Sequence, residues 1–153
     1  MTSWVPIPVD SDFSLQNLPY GVFSTTADPV PHIGVAIGNH VLDLKILGQE
    51  QVFNEIEFDA SALGETTLNT YAGLGQNVHG EVRRRLQELL AEDSRLHHVL
   101  RDNNERRQRC LIPMKDAIMH LPVTVGDFTD FFIGLHHGNN VGSGQYSTGI
   151  QES

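Results

Sequence analysis

The stretch YGVFSTTADPVPHIGVAIGNHVLDL, from Tyr20 to Leu44, decides the fold because short apolar runs alternate in it with turn residues. Prolines in the cluster Ala27–Pro31 fix φ and remove backbone donors, which predicts a turn. Gly38 and Asn39 are typical of a two-residue hairpin turn. Three apolar runs flank these turns and have the character of strands: residues 20–24, 33–37 and 41–44. The stretch therefore predicts a small β-barrel.

The region after these strands predicts helices. A short helix is expected over about residues 66–71, where glycines end it. A longer helix is expected from about Gln76 to Leu100, because leucine and valine recur at helical spacing. The arginines Arg83–Arg85 are expected on its solvated face, paired with glutamates of the same region. The polar stretch 101–109 is predicted to be connecting chain, with the helix continuing into its start.

Composition excludes several classes of function. The chain has 153 residues, enough for one small domain with an appendage, and a net charge of −9. Its basic residues gather mainly in one helical region, so nucleic acid is not expected as a partner. No apolar run approaches the roughly 18 residues that span a bilayer, and no secretory signal is evident. The single cysteine, Cys110, is expected to be a partly buried small apolar residue in a reducing compartment, and the protein to be cytoplasmic.

The chemistry of the chain is concentrated in HLPVTVGDFTDFFIGLHHGNNVG, from His120 to Gly142. Asp127 and Asp130 lie three residues apart, and His137 follows seven residues after Asp130. A hard-cation ligand beside a general base is what a metal-assisted attack by water needs. Asp127 is better explained as the N-cap of a helix that opens at this point. Without further evidence, Asp130 would be explained in the same way, as a carboxylate of the first helical turn.

Several blocks of the sequence, taken in order, resemble the fumarylacetoacetases. They are DSDFSLQNLPYGVFST from Asp10, PHIGVAIGNHVLDL from Pro31, TLNTYAGLGQNVHGEVRRRLQELL from Thr67, and DFTDF followed by a histidine and NVG. The resemblance implies a mainly β fold with helices. Residues 1–118 would form an SH3-like barrel with a helical insertion, and residues 119–142 the truncated start of a catalytic β domain. Residues 143–153 diverge from the family and are predicted to be disordered.

The resemblance also implies a reaction, the hydrolysis of fumarylacetoacetate to fumarate and acetoacetate in tyrosine and phenylalanine breakdown. Asp130 stands at the position of a metal ligand for Ca²⁺ or Mg²⁺, which polarises the diketone. His137 stands at the position of the general base, and His136 is incidental. Phe132 replaces a family tyrosine that touches the diketo acid substrate, and Tyr146 lies about where the family has an arginine. Family members are homodimers, built largely through the later domain.

Three functional readings remain open. In the first, the chain is an incomplete fumarylacetoacetase that is inactive alone. In the second, it is a non-enzymatic SH3-like module, derived from that enzyme, that binds a partner. In the third, it is another diketone or acylpyruvate hydrolase of the superfamily, which the LPYGVFS opening disfavours because smaller relatives commonly lack this region.

Overall fold

The computed structural model of the protein describes residues 2–129, 131 and 134–145, with side chains described through residue 142. Five strands form one antiparallel sheet in the order β4-β3-β2-β1-β5: β1 Tyr20–Ser24, β2 His32–Ile37, β3 His40–Asp43, β4 Leu111–Pro113 and β5 Ile118–His120. The α-helices are α1 Leu44–Gln49, α2 Asn69–Ala72, α3 Gln76–Leu90, α4 Asn104–Cys110 and α5 Leu135–Gln145. Short 3-10 helices occupy Ala60–Gly64 and Met114–Asp116. The architecture confirms the predicted fold class of a small β unit with helices, and it is consistent with an SH3-like domain.

The predicted hairpin is confirmed, since Gly38 and Asn39 alone separate β2 from β3. Gly38 has φ of +53°, a left-handed conformation that favours glycine. A Cβ at this position would also lie 2.4 Å from the carbonyl oxygen of Pro6. Both the turn and the neighbouring N-terminal chain therefore require glycine here.

One face of the sheet carries the core. Strand alternation places Val22 opposite Ile33, and Val35 opposite Leu42, on that face. Helix α3 packs its buried side chains Val82, Leu86, Leu89 and Leu90 into the same cluster. Full burial of such a side chain stabilises the fold by about 1.5–3 kcal/mol. Cys110 is fully buried, more than the partial burial that was predicted, and burial raises the pKa of its thiol to about 12.

Helix α3 ends at Leu90, so the prediction that it continues to Leu100 was wrong. The N-terminal chain causes the early end. The Trp4 amide donates to the carbonyl of Leu90 at 3.1 Å, its indole N–H donates to the carbonyl of Leu89 at 2.8 Å, and Ser3 forms a β-bridge with Ala91. These bonds satisfy carbonyls that a helix end leaves unpaired. Leu100 still reaches the core, through a series of turns.

The stretch predicted as connecting chain forms helix α4 instead. The side chain of Asn103 accepts a hydrogen bond from the amide of Arg106 at 3.0 Å and caps the helix. Arg106 and Arg109 both pair with the carboxylate of Glu50, at the end of α1. Cap and ion pairs together stabilise a helix whose sequence alone is only polar.

Two of the three arginines of α3 are structural, although a solvated face was predicted for all three. Arg83 donates to the carbonyls of Asn17 at 2.9 Å and Leu18 at 3.3 Å, in a turn where Leu18 has a positive φ. Arg85 donates to the carbonyl of Val52. Arg84 alone of the three pairs with Glu88, at 2.8 Å, as predicted.

A buried ion pair joins the sheet to α1. His32 is 1% exposed, and its Nε2 lies 2.8 Å from a carboxylate oxygen of Asp43, while its Nδ1 lies 2.8 Å from the carbonyl oxygen of Val30. Both partners only accept hydrogen bonds, so both ring nitrogens must donate and the ring is an imidazolium. Burial by itself lowers the pKa of His32. The hydrogen bonds to Asp43 and Val30 and the charge of Asp43 outweigh this effect, so the pKa of His32 is raised above its ordinary value of 6.5. Asp28, paired with Lys45, lies 3.9 Å from Nδ1.

The second oxygen of Asp43 accepts from the amide of Ile46 at 3.0 Å and caps α1. The same side chain therefore neutralises His32 and starts the helix.

None of the described helices is both long and apolar enough to cross a membrane.

We expect His32→Gln to lower the free energy of unfolding by about 3 kcal/mol, because it leaves the buried carboxylate of Asp43 without its counter-ion.

The raised pKa of His32 also determines how the stability of the protein depends on pH. The stability that His32 contributes is full below its unfolded pKa, near 6.5, and is lost as pH rises through the pKa of the folded protein. Urea unfolding across this window should show that loss in the natural sequence and not in His32→Gln. His98→Gln, at an exposed histidine, is the control that keeps the slope; a slope unchanged in His32→Gln would contradict the imidazolium.

Candidate functional site

The segment that follows β5 carries the first of the predicted site residues. Residues 121–129 have no regular secondary structure and are exposed, and Asp127 lies among them. The prediction that a helix begins at Asp127 was wrong, since α5 begins at Leu135. A short helix is marginal in water without packing of an apolar face. The exposed side chains of this segment, such as Phe128 at 85%, have no such packing among the described residues.

The start of this segment is held by α2 and the residue before it. The amide of Leu68 donates to the carbonyl of Pro122 at 2.7 Å. The side chain of Asn69 donates to the carbonyl of Thr124 and accepts from the amide of the same residue, both at 2.9 Å. Asn69 thus pairs with Thr124 much as a neighbouring strand would. Sequence reasoning missed this residue, because a contact across 55 positions leaves no local pattern.

Helix α5 carries His137, the predicted general base, together with His136. The helix opens with a bond from the amide of Gly138 to the carbonyl of Gly134 at 2.9 Å, and both histidines are exposed on it. Consecutive residues on an α-helix point about 100° apart. The two imidazoles therefore leave the helix in different directions.

The other predicted site residues, Asp130 and Phe132, lie outside the described residues, as does Tyr146, so their roles stay predictions. The predicted disorder of 143–153 falls partly on α5, which continues through Gln145, while residues 146–153 lie outside the described part. The domain boundary at 118 also stays a prediction, although β5 keeps the chain in the sheet through His120.

The described residues do not by themselves fit a Ca²⁺ or Mg²⁺ site. Ca²⁺ takes about six to eight oxygen ligands, and Mg²⁺ wants a near-ideal octahedron. In the described part of the chain, no three His, Cys, Asp or Glu side chains lie close enough together to hold a metal ion. A cation would need ligands beyond this part, with Asp130 as one of them.

A serine–histidine pair lies where the chain leaves the sheet. Ser24 Oγ is 2.8 Å from His120 Nε2, across the β1–β5 ladder. Nucleophilic catalysis by such a pair needs a third group that orients the imidazole. No acidic side chain of the described residues is hydrogen-bonded to His120. The pair therefore fastens β5 to β1.

We expect Asn69→Ala to speed amide exchange at Thr124 by about two- to ten-fold, since it removes the acceptor of this amide, and one such bond contributes about 0.5–1.5 kcal/mol. Hydrogen exchange read by mass spectrometry would measure this. Asn54→Ala is the matched control, because Asn54 is an exposed asparagine whose side-chain amide donates to the side chain of Gln51 instead of to Thr124. Equal exchange at Thr124 in both variants would show that Asn69 does not hold the segment.

The sequence of this chain is similar to a known protein family and to several known proteins. The chain matches the family described as fumarylacetoacetase N-terminal over residues 16–122, a range that holds the whole sheet and Pro122. It is 46% identical over 140 residues to the fumarylacetoacetase of Rattus norvegicus and 45% identical over 142 residues to that of Caenorhabditis elegans. It is also 44% identical over 140 residues to the human fumarylacetoacetase.

These alignments cover 92–93% of this chain and 33% of each relative, so the chain spans about a third of the length of the curated relatives it matches. The family match includes all five strands and the helices between them. The chain belongs to the fumarylacetoacetase family, whose N-terminal region it represents.

Proposed function

We propose that this chain supplies the N-terminal region and the first site residues of a fumarylacetoacetase, a hydrolase that cleaves a carbon–carbon bond of fumarylacetoacetate to give fumarate and acetoacetate. The observation that carries the proposal is the family match over residues 16–122, together with 46% identity to the rat enzyme. The identity extends over 92% of the chain. The reaction belongs to tyrosine and phenylalanine catabolism.

In this proposal His137 is the general base that takes a proton from water. Imidazole is the side chain best suited to proton transfer near neutral pH. Its exposure on α5 supports the role, because water reaches it directly. Asp130 is proposed as one carboxylate ligand of Ca²⁺ or Mg²⁺. Phe132 would line the substrate with a ring where the family offers a tyrosine hydroxyl.

The proposed setting is a cytoplasmic homodimer that acts on a small diketo acid, with the polypeptide that follows this region in the relatives supplying the remaining ligands. A buried Cys110 as the single cysteine of the sequence supports a reducing compartment. The net charge of −9 argues against nucleic acid as a partner.

The test is a joined protein in which residues 1–142 of this chain precede the following two-thirds of the rat relative. We expect it to hydrolyse fumarylacetoacetate, read as loss of the substrate's ultraviolet absorbance. His137→Ala should lower turnover by about 10²–10⁴-fold, as loss of a general base does. His136→Ala should lower it far less, because its ring points elsewhere on the helix. Equal losses in the two variants would mean that the base has been assigned to the wrong histidine, and a folded joined protein without turnover would favour the non-enzymatic module.

The 153-residue chain by itself is expected to show no hydrolysis and only feeble Ca²⁺ binding. Its one carboxylate at the position of a family ligand, Asp130, offers a fraction of the oxygen ligands that the ion takes. Calorimetric titration with Ca²⁺ measures this, with Asp130→Asn compared against Asp127→Asn. Micromolar binding, or loss of binding in Asp127→Asn alone, would contradict the assignment of Asp130.

A further inference from the structure

The sheet face opposite the core carries an apolar groove of about 250 Å³. Its floor is formed by Gly21, Gly34 and Ala36, and its walls include Phe23, Val41 and Met119. The strand register places these residues together: Gly21 lies opposite Gly34, Ala36 opposite Val41, and Phe23 opposite Met119. The groove is therefore built into the alternation of the strands.

The two glycines of the floor let larger side chains lie across the sheet. A Cβ at Gly34 would come within 2.6 Å of both Phe23 and Val41, so the ring of Phe23 occupies the space above this glycine. A Cβ at Gly21 would lie 3.1 Å from the terminal methyl of Met119. Phe23 is buried by this packing, whereas Met119 remains 60% exposed.

The lining of the groove has no charged residue, in a chain whose net charge is −9. Such a surface does not attract a metal ion or a phosphate. It matches an apolar occupant, because the free energy available there comes from removing apolar area from water.

The groove continues into an exposed apolar strip. Of the ten large apolar side chains exposed in the described part of the chain, eight lie between Ile118 and Leu135. Met119 belongs to both the groove and the strip, and Leu121, two residues later, is 86% exposed. Such a concentration of exposed apolar side chains in one segment indicates an interaction site.

We propose that the groove over Gly21 and Gly34 is covered by the polypeptide that follows this region in the fumarylacetoacetases, an assignment that rests on the function proposed above. Two observations select this occupant. The relatives continue for about two-thirds of their length beyond the matched N-terminal region. The chain leaves the sheet through β5, whose Met119 lines the groove, so the segment that leads on from residue 120 starts at the edge of the groove.

Cysteine labelling tests the proposal. Ala36→Cys places a thiol on the groove floor, and Ala27→Cys places one on an exposed loop as the matched control. The native Cys110 is buried and should not compete. In the 153-residue chain both new thiols should react rapidly with a maleimide. In the joined protein the thiol of Ala36→Cys should react about ten-fold or more slowly, because reaction then requires local opening, while Ala27→Cys is unchanged.

Equal labelling of Ala36→Cys in the two proteins would overturn the proposal. Slow labelling in the 153-residue chain that speeds up on dilution would also overturn it, by showing a second copy of the chain in the groove. The same protection is expected when the following two-thirds of the rat relative is added as a separate polypeptide, which provides a second measurement should the joined protein fold poorly. Turnover is assayed separately: an active joined protein with an open groove refutes the docking alone, and a protected groove without turnover refutes the function alone.

Discussion

The carboxylate of Asp43 connects the sheet to helix α1. One oxygen accepts from the imidazolium of His32 in β2, and the other accepts from the amide of Ile46 in the first turn of α1. A charge buried in this way is stable only when it is paired and hydrogen-bonded. Because Leu44 begins α1 directly after Asp43 ends β3, no loop separates strand from helix. The direction in which the chain passes from β3 into α1 is therefore set by an ion pair between neighbouring strands.

Alternate residues of the same strands face opposite sides of the sheet, and the two sides differ in character. Val22 and Ile33 point to the core under α3. Their neighbours in the chain, Gly21 and Gly34, lie on the opposite face and have no side chain to cover it. Phe23 fills part of the space above Gly34, and a groove remains. One face is packed against α3, and the other carries the apolar groove.

The strands and the hairpin could be predicted because local signals specify them, such as the Gly38–Asn39 turn and the apolar alternation around it. Features set by distant residues could not. Helix α3 ends at Leu90 because Trp4 binds there, and the leucines beyond it gave the same periodicity that a longer helix would give. The structural role of Arg83 depends on carbonyls 65 to 67 residues away. Of the candidate site, the resemblance alone suggested the proposed roles of Asp130 and His137, and residue chemistry by itself would have left Asp130 as a helix-start carboxylate.

The geometry of the site segment has two separate requirements. Its beginning is fixed by hydrogen bonds, from Leu68 to Pro122 and between Asn69 and Thr124, which set its position relative to α2. Beyond Thr124 its apolar side chains lie in water, and each Å² of that surface would gain about 25 cal/mol on burial. Hydrogen bonds at one end define a direction without fixing the side chains further along. The described residues therefore leave the exposed segment 125–129, which holds Asp127, without the packing of an apolar face.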